Sequence, residues 1–270
     1  MRMNESGTDL RIEFAATRQD LLAAQRLRYQ VFAEEFGADL GCQIPGVDAD
    51  IFDAYCDHLL VRDRQSLEVV GTYRMLRPEQ ARALGCSYAD SEFDLSGLAA
   101  MRPWMAELGR SCVAPGYRNG ATIRLLWSGI GRFIQSRGYR YLIGCASVST
   151  RDGGHAAASL YTTLLAHQSS GETWGARPHK RLPLESLRCD LEVAAPPLIK
   201  GYLRCGGRII AEPAWDTAFG TADFLMMLDL STMSPRYARH FFGDTPASLP
   251  AHAAVIDRDE YAMDHEAIAA

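Results

Sequence analysis

Lysine is nearly missing from this chain: 26 of its 28 basic residues are arginine, and only Lys180 and Lys200 depart from that usage. Such a bias follows genome base composition more simply than it follows 26 functional guanidinium groups. Excess positive charge is missing too. A formal charge of −5 and a pI near 5.8 argue against a nucleic-acid partner. No apolar run approaches the roughly 18 residues that cross a bilayer, so any membrane contact is expected at the surface. The seven cysteines form no C-x-x-C pair and are odd in number. They read as reduced thiols, several of them acting as small buried hydrophobes. Metal-ligand spacing is absent around Asp57-His58 and His155, and the acidic loop lacks the EF-hand pattern, so no metal is expected. No G-x-S-x-G elbow surrounds Ser111, which leaves Cys112 a packing role. Internal repeats and interdomain linkers are lacking. The polar start at residues 1–8 predicts no secretory leader and a cytoplasmic location.

The residues that are present are 47% hydrophobic and 23% charged over 270 positions, a balance that suits one large domain. Residues 10–17 alternate around Ile12 and Phe14 and predict a strand. Asp20 is placed to cap a helix reaching Phe36, with Leu21, Ala24, Val31 and Phe32 on its apolar face. Arg28 and Glu35 fall on or beside that face, where a charge must be paired or line a pocket. An irregular acidic loop covers 37–53. Segments 58–62 and 68–75 predict an antiparallel hairpin, 77–100 a long connection with a short helix, and 105–113 a strand. A helix carries Ile123, Leu126, Trp127, Ile130, Phe133 and Ile134 on one face and stops at Gly138. Residues 141–146 read as a central strand. Helices at 155–167 and 196–205 and strands at 208–212 and 223–230 complete the order. The expected class is α+β: a mixed, mostly antiparallel central sheet flanked by helices, spanning 10–230. A tail, 231–270, is expected to hold a short helix and disorder.

A strand, a turn with Pro115 and Gly116, and a helix start form an anion site, because the first-turn N–H groups are free. Residues 112–122 have this layout, and Arg118 adds positive charge. Many α/β proteins carry such units without a ligand. The run Val113-Ala114-Pro115-Gly116-Tyr117-Arg118-Asn119-Gly120-Ala121 resembles the acyl-CoA-binding segment of the GNAT superfamily up to Arg118. Asn119 and Ala121 then stand where glycines are usual. Larger side chains narrow the backbone cradle, which favours a donor with a single phosphate over the CoA pyrophosphate.

A second resemblance, to autoinducer synthases, runs through Arg28 and Phe32, Asp50 and Asp53, Val70-Gly71-Thr72-Tyr73-Arg74-Met75, and Glu107 to Arg110. The tryptophan usual past the first helix of that family is missing, which speaks against an S-adenosylmethionine acceptor. The broadest resemblance, from Arg28 to Leu230, is to bacterial ornithine N-acyltransferases of ornithine-lipid synthesis. It rests on Arg28 to Glu35, Cys56 to Val61, Val70 to Arg74, Glu107 to Cys112, Leu125 to Ile130, Gly144 to Ser147, Leu198 to Arg204 and Gly220 to Asp223. It implies a GNAT-like fold and transfer of a 3-hydroxyacyl group from acyl carrier protein to the α-amine of ornithine, giving a lyso-ornithine lipid. It implies no resident cofactor, the acyl-phosphopantetheine of the carrier being a substrate. The alternatives are an N-acyl amino acid or acyl-homoserine-lactone synthase, or a noncatalytic acyl-binding protein.

Under that resemblance, Glu107 is the expected base, since amide formation needs a neutral amine and a carboxylate to take its proton. A bulge at Gly109 would turn a backbone N–H toward the thioester carbonyl. Arg74 and Arg110 complete the catalytic set, one anchoring Glu107 and the other binding the acceptor carboxylate. A structural salt bridge accounts for the same three residues. Arg28, Phe32, Asp50, Asp53 and Asp57 are expected at the acceptor, the aspartates holding its distal ammonium; a solvated acidic loop is the alternative. Val113, Tyr117, Arg118, Asn119, Gly120 and Ala121 are expected at the donor. Arg118, Arg124, Arg132, Arg137 and Arg140 offer a face to an acidic carrier protein. Arg177 to Arg181 could make peripheral contact with anionic lipid on the inner face of the cytoplasmic membrane.

Overall fold

The computed structural model describes residues 9–168, 174–233 and 237. Its strands are β1 (Leu10–Phe14), β2 (Cys56–Asp63), β3 (Val69–Leu76), β4 (Phe93–Asp94), β5 (Met105–Val113), β6 (Tyr141–Ser149), β7 (Arg177–Pro178), β8 (Arg208–Ile209), β9 (Ala214–Asp216) and β10 (Thr221–Asp229). The helices are α1 (Arg18–Tyr29), α2 (Pro78–Leu84), α3 (Ala89–Glu92), α4 (Ala121–Arg137), α5 (His155–Ala166) and α6 (Pro197–Arg204). The main sheet runs β1-β2-β3-β5-β6-β10-β8, with β9 also on β10. Every neighbouring pair is antiparallel except β5–β6. The α+β expectation therefore holds. The strand β9 was not foreseen, and the expected tail lies almost wholly outside the described residues.

Local sequence explains the elements that carry the site. Thr17, not Asp20, is the N-cap of α1, and Asp20 closes a reciprocal capping box three residues on. The helix does not run regularly to Phe36. It widens into a π turn at Gln30–Glu35, a feature frequent at functional sites. The apolar stripe of α4 buries Leu126, Ile130, Phe133 and Ile134 against one face of the sheet, each contributing about 1.5–3 kcal/mol. At Gly71 on β3 a Cβ would lie 2.5 Å from Thr122 Cγ2. Its missing side chain lets the first turn of α4 sit on the strand.

Candidate active site

Strands β5 and β6 pair only over Met105–Glu107 against Tyr141–Ile143, yet each runs six residues further. They part after that point. The opening is a cleft of about 510 Å³, lined among others by Phe32, Tyr73, Arg110, Ser147, Phe219 and Asp223. On its other edge β5 changes register with β3. Thr72 faces Cys112 and Arg74 faces Gly109, so Arg110 and Ser111 stand against Tyr73 alone. This is a bulge, which leaves a residue out of the ladder and frees its backbone groups for the cleft. The kink sits at Arg110, with φ of 50°, one residue beyond the glycine where it was expected. Positive φ is uncommon outside glycine and concentrates at functional sites. Side-chain contacts hold it there: the Arg110 guanidinium lies over Phe219 at 4.7 Å and Tyr88 at 5.3 Å and donates to Asp50 at 3.2 Å.

Behind this wall lies a buried ionic lattice. Arg28, 1% exposed, donates to Asp48 and to both oxygens of Asp53, each at 2.8 Å. Arg74 donates to Asp50 at 2.6 Å and Asp53 at 2.9 Å, and Gln25 adds a donor to Asp53. Burial alone would raise the Asp53 pKa, but Arg28 and Arg74 outweigh it and hold the carboxyl well below its usual range. Asp50 is lowered in the same way by Arg74 and Arg110. Beneath them, burial drives His58 down to about 4 and keeps it neutral. The aspartates expected to face an ammonium are thus spent on arginines. Asp53 bridges two of them, and Asp57 pairs with Arg77 at 2.9 Å. Arg28 sits behind the wall, while Phe32, Arg74 and Arg110 line the cleft.

Glu107 is buried, and its two oxygens accept the backbone N–H groups of Tyr88 (2.8 Å) and Ala89 (2.6 Å). Burial raises it to about 7, the two N–H groups pulling it back only in part. It lines a second cavity of about 480 Å³, beside Arg102, Asp90 and Ile143. It thereby anchors the segment that carries Tyr88 into the cleft, rather than presenting a free oxygen there. Arg74 lies close enough to lower it, but the ion pairs of Arg74 go to Asp50 and Asp53.

The donor turn forms as expected, with Gly120 in the left-handed region as N-cap of α4. Its donors are partly engaged. The Asn119 side chain accepts from the Ala121 N–H at 3.1 Å. Arg118 is held bidentately by Glu35 at 2.6 Å and donates to the Val113 carbonyl. Tyr117 is tied to Asp63 at 2.9 Å.

Sequence reasoning assigned no role to Asp216, Asp223, Tyr88, Phe219 or Arg151, all of which line the cleft. One signal for Asp223 was available: a carboxylate opening the apolar run Phe224 to Leu228 in a central strand. Among the described residues no cluster of His, Cys, Asp or Glu is arranged to hold a metal ion, and no helix is long and apolar enough to cross a membrane. Of the basic segment expected to meet lipid, Lys180 lies over Trp215 and Arg181 pairs with Glu185.

The chain is an acyltransferase of the GNAT class, in which the parallel pair β5–β6 parts beside the bulge with a helix N-terminus at its edge. Residues 27–128 match the family described as Acetyltransferase (GNAT) domain. The chain is similar in fold to a CoA-dependent acyl-homoserine lactone synthase, BjaI, with TM-score 0.53 and 16% identity over 93% of this chain and 98% of that one. It is 38% identical over 251 residues to the L-ornithine N(alpha)-acyltransferase of Brucella abortus (strain 2308), covering 86% of this chain and 88% of the relative. It is 38% identical over 256 residues to the protein of the same name from Agrobacterium fabrum, covering 87% and 86%. The chain belongs to the family of the L-ornithine N(alpha)-acyltransferases.

Proposed function

We propose that this enzyme transfers a 3-hydroxy fatty acyl group from acyl carrier protein to the α-amine of L-ornithine, giving a lyso-ornithine lipid. The observation that carries the acceptor is the similarity, over most of the chain, to relatives named for that amine. The cleft is consistent with it. Arg110 stands at the wall, paired through Nη2 with the partly solvated Asp50 at 3.2 Å, while its Nε lies 3.6 Å from the buried Asp48. It is the group best placed to take the acceptor carboxylate. The Arg110–Ser111 bulge supports the developing oxyanion through backbone N–H.

The donor end supports a carrier-borne pantetheine. With Arg118 committed to Glu35 and the Ala121 N–H committed to Asn119, this turn has fewer groups left to hold a pyrophosphate, and a single phosphate asks for fewer of them. On α4, Arg124 is exposed and Arg132 half-buried. An acidic carrier is expected to dock along this helix. Reversing both, Arg124→Glu with Arg132→Glu, should raise KM for the acyl carrier about tenfold with kcat little changed, since such a pair acts mainly through encounter. An unchanged KM at low salt would remove this face.

The reading as a whole is checked with purified protein, 3-hydroxyacyl carrier protein or the matching acyl-CoA, and a panel of amines. Ornithine and the carrier-borne donor are expected to be preferred. Acylation of another amino acid in preference to ornithine would overturn the acceptor, and equal use of acyl-CoA would overturn the donor.

A further inference from the structure

A base must reach the attacking nitrogen, and the cleft holds a carboxylate that the family resemblance did not assign. Asp223 lies on β10, 2% exposed, on the cleft wall. Its cross-strand partner on β6 is Ser147. Ser147 lies four residues past Ile143, where β6 leaves β5, and Ser111 lies four residues past Glu107 on the other side. Asp223 therefore stands level with the bulge across the opened strands.

Its partners are hydroxyls: Thr221 Oγ1 donates at 3.2 Å, and Ser147 also bonds it. Among the described residues no basic side chain is ion-paired with it. Such an environment leaves the carboxylate poised to accept a proton. The ionisable groups facing this space include Asp216 from β9, Glu92 from α3, Cys145 from β6 and Tyr88, and Arg74, Arg110 and Arg151 line the same cleft. Asp216 is engaged by the N–H groups of Ala218 and Phe219, and burial keeps Cys145 and Tyr88 protonated by raising both.

We propose that Asp223 is the proton acceptor for the amine, an assignment that rests on the N-acyltransferase reading above. One N–H bond of the substrate ammonium breaks as the Asp223 carboxylate takes that proton. The freed lone pair attacks the thioester carbon, the C–N bond forms and the C–S bond breaks, its electron pair leaving on sulfur. The thiolate takes the second proton lost by the nitrogen, and Asp223 returns its own to solvent. Burial, reinforced by Asp216 and Glu92 and opposed by the Ser147 and Thr221 hydroxyls, raises Asp223 to about 7. A base in that range is matched to work near neutrality.

The test is the pH profile of kcat and kcat/KM with saturating acyl carrier, for the parent enzyme and for Asp223→Asn and Glu107→Gln. The parent should show an acid limb near pH 7. Asp223→Asn should lose roughly 10²- to 10⁴-fold in kcat, keep its donor KM, and rise about tenfold per pH unit up to the amine's own pKa, which lies above 7. Glu107→Gln should lower kcat through the displaced Tyr88 segment but keep the acid limb. Should Asp223→Asn fail to fold, Ser147→Ala carries the test: removing a donor to the carboxylate should move the limb to higher pH. The assignment is overturned if the limb stays near pH 7 in Asp223→Asn or vanishes in Glu107→Gln, or if Ser147→Ala leaves it in place. A parent enzyme that acylates no amine would instead remove the functional reading.

Discussion

Asp53→Ala should destabilise the fold by about 3–5 kcal/mol, the cost of stripping one partner from a buried ion pair. Asp53 accepts from Arg28, Arg74 and Gln25. Its loss leaves two guanidinium groups, 1% and 4% exposed, with one aspartate each. Against a total stability of typically 5–15 kcal/mol, that is a large fraction. Denaturant unfolding of the variant measures it. Glu185→Ala, which breaks the exposed Arg181 pair, should cost under about 0.5 kcal/mol in the same assay. A loss below about 1 kcal/mol for Asp53→Ala would show that the lattice does not hold the wall.

The same lattice sets the acid limit of stability. Asp50 and Asp53 have folded pKa values below their unfolded ones. Their contribution is present above the unfolded carboxylate value near 4 and is lost as pH falls through the lowered folded values. Glu107 and Asp223 work with the opposite sign. Both are raised to about 7, so the folded state binds more protons than the unfolded chain between about pH 4 and 7. Their part of the stability is full below about pH 4 and falls as pH rises to 7. Holding these two carboxyls raised therefore lowers stability as pH approaches neutrality.

Arg110→Lys should raise KM for ornithine about 10- to 100-fold while changing kcat much less. A charge-assisted, bidentate contact is worth about 1.5–3 kcal/mol, and a lysine offers only a point charge in its place. The substitution also removes the planar stack over Phe219 and Tyr88, so the side chain loses its fixed direction. Steady-state kinetics with ornithine varied at saturating donor reads the effect. A fall in kcat at unchanged KM would place Arg110 at the reacting carbonyl instead. Its stability cost should be small beside that of Asp53→Ala, since Asp50 keeps Arg74.

Much of this protein was legible in the chain. Periodicity placed β5 at its observed bounds, α4 and the β2–β3 hairpin, because each has a face that must be buried and the spacing of apolar residues shows which. The motif order Arg28, Asp50–Asp53, Arg74 and Arg110 marked residues that do meet in space, and the turn at 114–120 announced a helix N-terminus. The roles within that set were not legible. Whether an aspartate faces a substrate or an arginine depends on which guanidinium the fold carries to it. Asp53 meets Arg28 from a helix 25 positions away and Arg74 from a strand 21 positions away. Glu107 sits on the right strand, but the segment at Tyr88 and Ala89 takes both its oxygens, and nothing local in the chain says so. The cleft exists only because two parallel strands stop pairing, and Asp223 reaches it from more than 100 residues downstream of the bulge. The sequence by itself determined the elements, their order and the chemistry on offer, since those follow from local pattern and residue type. The tertiary structure alone decided which charges neutralise one another and which are left facing the cleft, because pairing in a buried lattice is settled by distance.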